Sequence, residues 1–161
     1  MKAARITGIQ YAALPYRIEA GQLRILLITS RETRRWVIPK GWPMNGMKPQ
    51  DAAAAEAAEE AGLIGDIEDT PLGSYRYLKR LKHNDAVAVQ VIVFAFAVST
   101  QVESWKEQHQ RTLRWFGYRA AASHVAEPSL KRLIRDFGAE RSTSLIARSL
   151  RRYRAWRLRG A

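Results

Sequence analysis

Residues 41–63 read GWPMNGMKPQDAAAAEAAEEAGL. The stretch divides in two. Gly41, Pro43, Gly46 and Pro49 break regular structure, so 41–49 reads as an irregular loop in which backbone N–H and carbonyl groups can approach an ion or a phosphate. Residues 51–61 are almost all Ala and Glu and predict a helix that starts at Pro49 or Asp51 and stops at Gly62. Glu56, Glu59 and Glu60 stand at i, i+3 and i+4, so their carboxylates share one helix face. Like charges at this spacing cost an isolated helix about 0.2–0.5 kcal/mol per pair. A hard divalent cation reverses that penalty, and Mg²⁺ commonly combines one or two carboxylates with substrate phosphates. A solvated acidic face is the ordinary reading of a Glu cluster. The glycine-bearing loop just before it shifts the balance towards a metal site.

Working outward, residues 10–18 alternate loosely around Pro15 and predict an edge strand or strand entry. Residues 23–29 (LRILLIT) predict a buried strand and 36–38 a short one ended by Pro39. Residues 70–82 and 86–99 predict two strands joined by a turn at 83–85, 105–111 a polar loop or a short helix, and 113–118 another short strand. Glu127-Pro128 opens a helix with Leu130, Leu133, Ile134 and Phe137 on one face, ending at Gly138, with 138–143 as a candidate linker. Strands and helices mix without regular βαβ alternation. The expected fold is α+β, an α/β/α sandwich in which a central mixed sheet is flanked by helices. The expected division is a domain over 1–140 and a basic tail over 141–161.

The 161 residues are 47% hydrophobic and include no Cys, which excludes disulfides, thiolate zinc sites and Cys nucleophiles. With no long apolar run and no leader read at residues 1–5, a cytoplasmic protein without a transmembrane segment is expected. His83, His109 and His124 are scattered without metal-ligand spacing, and no Ser-His-Asp system is evident. Of the net charge of +12, residues 141–161 supply +7, from seven arginines and no acid. Such a balance favours polyanionic partners.

The spacing Gly41, Glu56, Ala57, Glu59, Glu60, Gly62, Leu63 resembles the signature box of the Nudix hydrolase family, and the approach WVIPKG at 36–41 is similar to the diphosphoinositol polyphosphate and diadenosine polyphosphate hydrolase group. The resemblance covers roughly residues 5–140. It implies a Mg²⁺-dependent hydrolase of pyrophosphate linkages, with Mn²⁺ as an alternative ion. By resemblance, Glu56 and Glu60 are metal ligands, Glu59 is a ligand or orients the attacking water, and the Gly41 carbonyl completes the shell. A further catalytic carboxylate usually comes from a loop after the long strands, where Glu103 and Glu107 lie; Glu107 is preferred. Met47 and Ala55 depart from the pattern, standing where the family has a Glu and an Arg that pair loop to helix. Losing both partners strands no charge, so a repacked brace with Met47 against Ala55 is expected.

Arg31, Arg34, Arg35 and Lys40 precede or enter the box, Lys79, Arg80 and Lys82 follow on the hairpin, and Arg111 follows Glu107. Arg forks and Lys ammoniums suit a highly phosphorylated substrate. In the diphosphoinositol group an arginine resembles Arg111, before an aromatic pair like Trp115-Phe116. The expected substrate is therefore a diphosphoinositol or dinucleoside polyphosphate. The alternatives are an RNA 5′ pyrophosphohydrolase, helped by the basic tail, and a catalytically weakened binding or regulatory module. In the tail, Ile146, Leu150, Tyr153 and Trp156 recur at helical spacing and predict a basic amphipathic helix that docks on the domain, forms a homodimer or lies on RNA or anionic lipid.

Overall fold

The computed structural model describes residues 6–159. The leader-free reading of residues 1–5 and the last two residues of the tail lie outside that span.

Eight strands form one mixed sheet: β1 (Ile6–Glu19), β2 (Gln22–Thr29), β3 (Trp36–Val37), β4 (Lys40–Gly41), β5 (Leu63–Ile67), β6 (Gly73–Arg80), β7 (Ala86–Gln101) and β8 (Leu113–Gly117). The main path is β3-β2-β1-β7-β5, with β4 on β1, β6 on β7 and β8 on β2. Strands β1 and β7 are parallel; the other pairs are antiparallel. Helix α1 (Pro49–Ala61) covers one face, while α2 (Tyr118–His124) and α3 (Pro128–Arg159) cover the other. This is the mixed sheet flanked by helices that the element pattern implies.

The apolar run of β2 follows from burial on both faces. Ile25 and Leu27 pack with Leu130, Ile134 and Phe137 of α3, whereas Leu26 and Ile28 pack with Ala53, Ala57 and Ala61 of α1. The alanine face of α1 needs little depth, so the helix axis approaches the sheet closely and its glutamates reach the sheet's end.

Four expectations are corrected. First, β1 is a central strand. Pro15 is tolerated there because its missing N–H falls in a gap: Ala13 N–H donates to Pro39, β4 pairs only with residues 11 and 12, and β2 pairing starts at Tyr16. Second, β5 and α2 were not expected. Third, α3 neither ends at Gly138 nor contains a linker over 138–143; it runs unbroken from Pro128 to Arg159. A Cβ at Gly138 would overlap the Tyr118 ring, so this glycine permits α2 and α3 to touch rather than stopping a helix. Fourth, the apolar stripe of the tail is not docked on the domain. Ile146, Leu150, Tyr153 and Trp156 are all exposed.

Candidate active site

Helix α1 begins with Pro49 in its first turn and ends at Gly62 in the left-handed conformation (φ 66°). Its last two turns deliver Glu56, Glu59 and Glu60 to a broad cleft of about 1460 Å³. Gly41 lies beneath the helix, and the Glu56 carboxylate sits in the space a side chain at 41 would fill. Burial, with the like charges of Glu59 and Glu107 nearby, raises the Glu56 carboxyl. Glu60 is buried; its Oε2 accepts the Lys40 N–H (3.3 Å) and its Oε1 accepts Arg111 Nη2 (2.6 Å). Burial pushes the Glu60 carboxyl up to about 7, against the pull of Arg111 and Lys40. Glu59 is half-buried and meets Lys106 Nζ at 2.8 Å.

The segment 102–112 closes the acidic wall because it is tied to the C-terminal end of α1. Val102 N–H donates to the Gly62 carbonyl (2.9 Å), and Glu107 N–H donates to the Glu59 carbonyl (3.0 Å). These are helix-end carbonyls without intrahelical partners. Glu107 thereby joins Glu56, Glu59 and Glu60 along the cleft, whereas Glu103 does not line it.

The cationic residues divide. Arg31, Arg35 and Lys40 line the cleft, with Lys79 and Arg80 of β6. Arg34 instead ties its loop to the Gln110 carbonyl and the Thr112 hydroxyl, and Lys82 sits in a single helical turn at 82–84; neither lines the cleft. Arg111, expected to grip substrate, is only 7% exposed. Its guanidinium donates to Glu107 Oε2 (2.8 Å), Glu60 Oε1 (2.6 Å) and the Thr29 carbonyl (3.0 Å). It is an internal counter-ion of the acidic wall.

Several cleft residues had no clear signal in the sequence. Glu127, read only as a helix opener, is buried and pairs with Arg35 (3.1 Å). Tyr77 donates to Gln10 Oε1 (2.7 Å), and burial pushes its hydroxyl up to about 12. Lys40 Nζ lies 5.1 Å above the Tyr77 ring, and burial lowers its ammonium. Trp42, 44% exposed, lies at the cleft with Lys79 Nζ 5.1 Å above its ring. Gln10, Tyr77 and Glu127 are distant in sequence, so only strand pairing reveals them as neighbours.

The expected repacked brace is not tight, because Met47 is 49% exposed. Among the described residues, no three acidic or imidazole side chains converge on one point as placed. The donor set nevertheless suits a hard cation. All four carboxylates and Gly41 line one cleft, and burial raises the Glu56 and Glu60 carboxyls even though Arg111 and Lys40 pull Glu60 down.

A family profile described as the NUDIX domain matches residues 10–137. The chain belongs to the NUDIX domain family. It is 30% identical over 118 residues to Nudix hydrolase 16, mitochondrial, of Arabidopsis thaliana, covering 70% of this chain and 64% of that protein. It is 30% identical over 107 residues to diphosphoinositol polyphosphate phosphohydrolase 3-alpha of Mus musculus, covering 65% of this chain and 61% of that one. The chain thus spans less than two thirds of these relatives' lengths. The crystal structure of a Caenorhabditis elegans Ap4A hydrolase binary complex shares the NUDIX fold: TM-score 0.63 at 20% identity, covering 85% of this chain and 99% of that one. No helix among the described residues is long and apolar enough to cross a membrane.

Proposed function

We propose that this NUDIX chain hydrolyses a pyrophosphate linkage in a phosphate-rich small molecule with the help of Mg²⁺, or Mn²⁺ in its place. The observation that carries this reading is a single cleft lined by acids and cations together. Glu56, Glu59, Glu60 and Glu107 share it with Arg31, Arg35, Lys40, Lys79 and Arg80, and Arg31 lies 3.4 Å from Glu107. Glu56, Glu60 and the Gly41 carbonyl would hold the cation, with Glu59 beside them. When bound, such an ion would supply positive charge for the phosphates and lower the pKa of water.

The chain's own groups do the rest. Glu59 is half-exposed and held only by the exposed Lys106, so it is placed to take the proton of the water that attacks phosphorus. As the new P–O bond forms, the bond from that phosphorus to the bridging oxygen breaks, and the charge passes to the leaving phosphate. Arg35 and Lys40 lie where they can balance that charge. Arg111, which also lines the cleft, holds Glu107 and Glu60 in place. The density of cations suits diphosphoinositol and dinucleoside polyphosphates alike.

The test is turnover with Mg²⁺ on diphosphoinositol polyphosphates, dinucleoside polyphosphates, nucleotide sugars and triphosphorylated RNA, beside Glu60→Gln. Small polyphosphates should be cleaved by the native chain and at least about 100-fold more slowly by the variant. No turnover on any of them, with ligand binding equal in both proteins, would support a binding module instead. Turnover of RNA alone would support the RNA reading.

A further inference from the structure

We propose that residues 142–159 of α3 are a docking helix for an anionic membrane surface. Leu130, Ile134 and Phe137 turn the first half of α3 onto the sheet. At 3.6 residues per turn, the stripe Ile146, Leu150, Tyr153, Trp156 lies roughly 140° around the helix from those three. The domain therefore cannot cover it. The four side chains are 62%, 56%, 56% and 72% exposed. At the base of this segment Arg141 pairs with Glu68 and lies over the Phe137 ring.

Charge selects the occupant. Residues 142–159 carry six arginines and no acid. Arg148, Arg151 and Arg159 fall opposite the stripe, Arg152 and Arg154 at its borders, and Arg157 within it. A second copy laid on this face would bring two such arginine sets together with no acid between them. An RNA strand would satisfy the arginines and leave the stripe in water. A bilayer with anionic headgroups satisfies both: Leu, Ile, Trp and Tyr enter the headgroup–acyl boundary while the arginines meet lipid phosphates. Ile18, 45% exposed at the end of β1, lies with Leu145 and Ile146 in a shallow groove at the base of this segment and continues the apolar surface.

The test is co-sedimentation of the full chain with phosphatidylcholine vesicles, with and without phosphatidylglycerol. The chain should sediment with the anionic vesicles only, and less so as salt is raised. Leu150→Ser with Trp156→Ser should weaken vesicle binding at least about tenfold. Arg151→Gln with Arg152→Gln should weaken it and flatten its salt dependence. Thermal unfolding should be unchanged in both, since all four side chains are exposed. Equal binding to neutral and anionic vesicles, or none to either, would overturn the proposal. So would vesicle binding that ignores the apolar pair while RNA binding follows the arginines, or a dimer in sedimentation velocity that the apolar pair dissolves while vesicles go unbound. None of these outcomes depends on whether the cleft hydrolyses pyrophosphate.

Discussion

Arg111 gathers two carboxylates and a carbonyl around one nearly buried guanidinium. Its removal leaves Glu60 and Glu107 facing each other, with Lys40 near Glu60 and the exposed Arg31 3.4 Å from Glu107 as the remaining offset. Breaking such a pair costs about 3–5 kcal/mol, so Arg111→Ala is expected to lose stability on that scale. Mg²⁺ should return part of the loss by supplying the missing charge, and Arg111→Lys only a little, because one ammonium cannot fork to three acceptors. Urea unfolding with and without Mg²⁺ decides it; an equal loss in both conditions would count against the internal counter-ion. Glu60 adds a pH signature. Its carboxyl is raised from 4.5 to about 7 in the metal-free fold, so the stability it contributes is full below 4.5 and is lost as pH rises through about 7. A bound cation needs the carboxylate, so Mg²⁺ binding near neutral pH should release a proton. Calorimetry in buffers of different ionisation enthalpy measures that release, and Glu60→Gln should remove it.

At the scale of elements, the site is a junction between β4, α1 and the segment 102–112. The loop-to-helix ion pair of the family pattern is absent, with Met47 and Ala55 in its place. Contact between Glu56 and the bare backbone of Gly41 remains as a link between the two. A methyl group at 41 must push the Glu56 carboxylate aside. Gly41→Ala is therefore expected to keep the fold but lower Mg²⁺-dependent turnover by about 10²-fold, the cost of misplacing a catalytic group by an ångström. Circular dichroism and kcat together check it: loss of the fold, or unaltered turnover, would refute the close-contact role. The same element logic explains the segment 102–112. Its sequence is polar and unremarkable, yet the free carbonyls of Glu59 and Gly62 capture it and bring Glu107 to the cleft.

For the whole molecule, the division into a domain and a basic extension is a proposal about stability. The last buried residue of α3 is Gly138. A chain ending at Arg141 keeps the Arg141–Glu68 pair and every core contact of the sandwich. It should melt within about 2–4 °C of the full chain, and its turnover of small polyphosphates should match. A larger drop in thermal unfolding would show that 142–159 help to hold the fold.

The sequence by itself determined the carboxylate face of α1, because helical spacing is local and three glutamates at i, i+3 and i+4 have nowhere else to point. It determined the doubly buried β2 for the same reason, through its unbroken apolar run. Tertiary structure alone decided what the cations do. A basic side chain reads the same in a sequence whether it faces a substrate, as Lys79 can, or is consumed inside an acidic wall, as Arg111 is. It also decided that Pro15 lies in a central strand and that Gly138 joins two helices. Both depend on which backbone group faces a gap or a neighbour. The apolar stripe of the tail was legible residue by residue. That it points away from the domain follows only from the phase of one continuous helix of 32 residues, set by its packed first half.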